Sequence, residues 1–161
     1  MRQLTTKIIA CACALVLGVG MLIGCTGPSG KADEAQQKNQ AYMSQVNGVM
    51  ADLGDKLESF VSAVSRGDIV NMRTQADDAY KALDKLSSLE VPENLKDVQQ
   101  KYVDGTAKLR EALDGYIALF TDVQSESFDQ STYADRLAKV QSLYDEGVDL
   151  LKQADETAAG K

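Results

Sequence analysis

Carboxylates, tyrosines and three cysteines are the side chains of this 161-residue chain with chemistry to offer. Acids gather at Asp52 and Asp55, at Asp77-Asp78, and at Asp145-Glu146 with Asp149. Oxygen ligands grouped in this way can hold Ca2+ or Mg2+. No Asp-x-Asp-x-Asp-Gly loop wraps them here, so a solvated charged face is the expected role and no metal site is assigned. The tyrosines fall mostly on apolar stripes. If Tyr42, Tyr80, Tyr102, Tyr116 and Tyr144 met at one end of a bundle, their hydroxyls could line a small-ligand pocket. The simpler outcome buries each ring and leaves its hydroxyl in water at the rim.

The chain has no histidine and no tryptophan. Without histidine there is no His-ligated zinc or haem, no Ser-His-Asp triad and no Glu-x-x-His di-iron site. No nucleophile–base pair or phosphate-cradling glycine loop stands out either. The expectation is a protein that is not an enzyme and carries no cofactor.

The cysteines point to the amino-terminal segment. Arg2 and Lys7 make a positive start, residues 8–23 carry no charge, and Leu22-Ile23-Gly24-Cys25 closes the run. A membrane span needs about 20 apolar residues, so this run is short for one. A positive start and a short apolar core read instead as a secretory signal. The tetrapeptide resembles the lipobox of bacterial lipoproteins. That resemblance implies a diacylglycerol on the Cys25 thiol, cleavage between Gly24 and Cys25, and acylation of the new amine. Two acyl chains hold a protein to a bilayer stably, where one holds it only marginally. Thr26 stands where some Gram-negative lipoproteins carry an inner-membrane retention Asp, so inner or outer membrane stays open.

Cleavage there would remove Cys11 and Cys13 and leave no free thiol. Losing Arg2 and Lys7 would move the formal charge from −7 to about −9. An acidic chain argues against nucleic acid and against a second, electrostatic grip on anionic lipid. It favours solubility or a cationic partner.

The elements that position these groups read as helices. Residues 1–24 are the signal, and residues 25–40 a lipidated cysteine with a flexible, polar tether. Residues 41–155 form the bundle, and residues 156–161 a frayed tail. Tyr42, Val46, Val49, Leu53, Leu57 and Phe60 form a first stripe at spacings of three and four. Gly67 suits its end and Asp68 the next helix's start. A second stripe runs from Ile69 to Leu89 and stops before Pro92, whose ring suits a first helical turn. A third runs from Leu95 to Val123. A fourth begins near Tyr133, with Ser131 as its expected cap, and runs to Leu151. Strand alternation is missing.

The expected fold is therefore all-α, an up-down-up-down antiparallel four-helix bundle with its first and third helices the longer ones. A shift of 60 residues superposes Tyr42, Leu53 and Phe60 on Tyr102, Leu113 and Phe120. The bundle thus reads as two αα-hairpins, and both duplication and a shared heptad pattern account for the echo. Acids four residues before bases, such as Asp52/Lys56, Asp77/Lys81 and Asp104/Lys108, should brace the outer faces. Gly48, Gly54, Gly105, Gly115 and Gly147 each cost a helix about 1 kcal/mol against Ala. They imply close helix approach, a kink or a gap for a ligand, or else a relaxed solvent face.

The functional expectation is a lipid-anchored, extracytoplasmic interaction or accessory module of the cell envelope. It would be held to the membrane through Cys25 and bind an unidentified envelope protein. The alternative is a small-ligand sensor with a pocket between helices, by loose analogy with four-helix sensing domains of bacterial receptors.

Overall fold

The computed structural model describes residues 30–160, so the signal-like run, Gly24, Cys25 and the glycine-rich leash lie outside the described residues. Four α-helices follow one another: α1 (Gly30–Arg66), α2 (Ile69–Ser87), α3 (Lys96–Val123) and α4 (Tyr133–Ala159). Short 3-10 turns at Glu93–Leu95 and Gln130–Thr132 lead into α3 and α4. No strand occurs among the described residues, and the chain is the helical bundle its stripes call for. None of these helices is long and apolar enough to cross a membrane.

The helix ends follow from local chemistry. Gly67 takes φ +67°, a left-handed conformation that an L side chain strains to reach. Its N–H donates to Val64 O at 3.0 Å, and the N–H of Asp68 to Ala63 O at 3.1 Å. These bonds satisfy the last carbonyls of α1. Asp68 then caps α2 by accepting from the Asn71 N–H at 3.1 Å. Donation from the Asn71 backbone and side chain holds its carboxyl below the usual carboxylate range. Pro92 opens the turn into α3, where Leu95 N–H donates to Pro92 O at 2.9 Å. The Gln99 amide bonds the carbonyls of Ser87 (3.3 Å) and Leu89 (2.9 Å), sealing the end of α2.

Several boundaries differ from expectation. Residues 31–40, read as part of a tether, belong to α1. Glu34 and Lys38, both exposed, brace this stretch with an ion pair at 2.8 Å. At 1.5 Å per residue the 37-residue α1 is about 55 Å long. Ser131 does not cap α4. Its N–H and hydroxyl both donate to Asp129 (2.9 and 2.7 Å), which caps the 3-10 turn instead. The tail expected to fray from residue 156 stays helical to Ala159, because Ala154 is fully buried and Ala158 packs on the core. Consequently α4, with 27 residues, nearly matches the 28 of α3, and only α2, with 19, is short.

The core is built mostly by α1, α2 and α3, with Tyr42, Leu53, Met72, Leu83, Leu95 and Tyr102 essentially sealed from solvent. Burial of each such side chain contributes roughly 1.5–3 kcal/mol. Packing runs α1 on α2, α2 on α3 and α3 on α4. The α3–α4 contact is the tightest, because Gly105 and Gly147 let the two backbones meet. A Cβ on Gly105 would lie 3.0 Å from Gly147 O, and one on Gly147 2.9 Å from Leu109 Cγ. Gly115 admits Val140 in the same way, while Gly48 and Gly54 face open space. This draws α4 toward α3. Fully buried residues on α4 are Gly147, Leu151 and Ala154, near its end. Leu137, Val140, Tyr144 and Val148 of α4 remain half-buried.

Candidate interaction site

The five tyrosines read as one potential pocket occupy three separate places. Tyr42 and Tyr102 sit at the end of the bundle where α1 begins and α4 finishes. They are 1% and 0% exposed. The Tyr102 hydroxyl donates to Asp155 Oδ1 at 2.5 Å. Burial pushes the Asp155 carboxyl up, and the Tyr102 hydrogen bond only partly offsets that. The Tyr42 hydroxyl and Asn39 Oδ1, one turn apart on α1, are buried without a hydrogen-bond partner. Burial raises the Tyr42 phenol to about 12.

Tyr80 belongs to a brace between α2 and α3. Its hydroxyl donates to Asp114, and the Arg110 guanidinium lies 4.5 Å from its ring centroid. Arg110 also pairs with Asp84 at 2.5 Å. Desolvation, then the bond to Asp114, raises the Tyr80 phenol. This hydroxyl points to a surface acid rather than into a pocket.

Tyr116 and Tyr144 share a third place, a cleft between α1, α3 and α4. Leu57, Phe60 and Val61 of α1 form one wall, and Leu137, Val140 and Tyr144 of α4 the other. Ala112, Leu113 and Tyr116 of α3 make the floor. Tyr116 meets Phe60 edge to face, with centroids 5.9 Å apart and planes at 76°. Burial raises its phenol to about 12. The cleft holds about 70 Å³ and its lining is almost wholly apolar. Pockets that enclose a drug-sized ligand span roughly 300–1,000 Å³. Elsewhere the apolar surface is well tucked in: among the described residues, Val70 is the large hydrophobe left exposed, at 71%.

The acid clusters separate into individual pairs. Lys81 takes Asp78 at 2.7 Å, Gln141 donates to Asp145 at 2.9 Å, and Lys108 takes Glu146 at 2.9 Å. Among the described residues, no three acids converge as a group that could hold a metal ion.

The cleft escaped the stripe pattern, which implies four equally closed seams. The signal was in the glycines. Gly105, Gly115 and Gly147 bring α4 to α3 at the expense of its contact with α1. Comparison with family models, with curated proteins and with solved structures finds no match.

Proposed function

We propose that this chain is a lipid-anchored, extracytoplasmic helical bundle that acts in the cell envelope as a non-enzymatic interaction module. Cys25, in its lipobox-like setting, is the anchor. The observation that carries the interaction role is the apolar cleft between α1, α3 and α4. Its volume suits one or two inserted side chains better than a whole metabolite. An apolar anchor seated in a small pocket is also how protein interfaces concentrate their energy. Residues 34–38, exposed near the start of α1, lie between Cys25 and the bundle in sequence and would serve as a polar helical stalk.

A sensor role finds support in one place. The unpartnered Tyr42 hydroxyl and Asn39 Oδ1 lie beside the Tyr102–Asp155 pair, where a small polar ligand would satisfy them. Crosslinking and pull-down from membranes with the anchor intact separate the two roles. Recovery of one stoichiometric protein is the expected result. A purified product carrying a tightly bound small molecule, and no protein partner, would overturn the interaction role.

A further inference from the structure

The mouth of the cleft narrows the chemistry of a partner. Glu58 stands exposed on the turn of α1 between the lining residues Leu57 and Val61. On the α4 side, Gln141 lines the cleft and donates to the exposed Asp145. Among the described residues, bases on the same two helices pair or lie elsewhere. Lys56 reaches Asp52 at 3.8 Å and acts on Asp78 of α2. Arg66 donates to Ser62 at 2.6 Å, and Arg136 pairs with Asp122 of α3 at 2.7 Å. Lys139 lines a separate groove between α3 and α4 with Glu111 and Asp114. Each wall of the apolar slot thus carries an exposed acid on the same helical turn as its lining residues, in a chain of net charge −7.

We propose that the cleft docks a cationic amphipathic helical segment of a partner protein. One apolar side chain enters between Val61 and Val140, and Lys or Arg a helical turn away pairs with Glu58 and Asp145. Helical residues three or four apart share a face, so one segment can present both groups. The negative field speeds encounter with such a segment, and the apolar slot gives it a fixed seat. This inference rests on the interaction role proposed above.

The test places the full chain in nanodiscs of neutral phosphatidylcholine. The probe is a Leu/Lys amphipathic peptide with one photoreactive leucine on its apolar face. After irradiation, mass spectrometry locates the adducts. They should fall on Leu57, Val61, Leu137 or Val140. The combined Glu58→Gln and Asp145→Asn variant should cut their yield about threefold to tenfold, the scale of two exposed ion pairs. Val61→Phe, which fills the slot, should abolish them while circular dichroism stays helical. If that variant unfolds, the two exposed acid substitutions carry the test alone. A Leu/Glu peptide that labels the cleft as strongly, adducts scattered over the surface, or a yield indifferent to the acid substitutions would overturn the proposal. Free photoreactive leucine labelling the slot as efficiently as the peptide would also overturn it, in favour of a small ligand. A native partner whose capture ignores Val61→Phe would remove this docking site and leave the interaction role standing.

Discussion

Gly147 gives the sharpest test of the packing that opens the cleft. A methyl group there would sit 2.9 Å from Leu109 Cγ and 3.0 Å from Gly105 O. Leu109 can shift a few tenths of an ångström, but the Gly105 carbonyl is helix backbone and cannot. Overpacking of this kind costs about 1–3 kcal/mol. Ala in place of Gly returns about 1 kcal/mol of helix propensity. Gly147→Ala should therefore lower stability by up to about 2 kcal/mol, and never raise it. Gly48→Ala is the matched control, since a methyl group there meets nothing within 4 Å. It should gain roughly 0.5–1 kcal/mol. Urea denaturation read by circular dichroism measures both, with equal m-values required before comparison. Opposite signs are expected. If both substitutions stabilise to the same degree, α3 and α4 do not approach at Gly105 and Gly147, and the account of the cleft fails with them.

Three further outcomes follow from the same geometry. Tyr42→Phe removes a buried hydroxyl with no partner, so stability should hold or rise by about 1 kcal/mol; a loss of that size in thermal melts would mean the hydroxyl serves a bound molecule. Asp155 binds its proton more tightly folded than at its ordinary value of 3.8. Its stabilising contribution is therefore greatest below that value and is lost as pH rises through the raised folded pKa. Asp155→Asn keeps an acceptor for Tyr102 and should gain on the native chain as pH climbs through that window, whereas a pH-independent difference in denaturation midpoints would contradict the burial of this carboxyl. Asp68→Ala removes the cap on Asn71 and should cost about 1 kcal/mol, again by urea titration, with no loss if the cap is idle.

Much of the fold was legible because burial repeats at helical spacing. The stripes placed all four helices, and Gly67-Asp68 and Pro92 marked the breaks through backbone chemistry that is local to the sequence. Ends were harder. Residues 31–40 lack large apolar side chains, yet Ala, Gln, Glu and Lys extend a helix once packing has nucleated it. Ala154 and Ala158 hold the last turn down with side chains too small to register in a Leu/Val stripe.

Ion pairs were partly legible. Asp52 and Lys56 pair as spaced, at 3.8 Å. Lys81 takes Asp78 rather than Asp77, and Lys108 crosses to Glu146 on α4 rather than joining Asp104. Exposed pairs of similar small energy compete, so spacing alone does not choose among them. The paired positions of the two hairpins tell the same story. Tyr42 and Tyr102 are both sealed, as are Leu53 and Leu113, whereas a shift of 64 residues sets the buried Ala79 of α2 against Leu143 of α4, which is only half-buried. The divergence lies in α4, where packing between distant residues, rather than periodicity, decides what closes.

Intact-mass spectrometry of the product extracted from membranes tests the central claim most directly. The expected product starts at Cys25 and carries the added mass of a diacylglyceryl group, with or without an amide-linked acyl chain. A species that retains residues 1–24, or begins at an unmodified residue elsewhere, would contradict the anchor and the envelope role built on it.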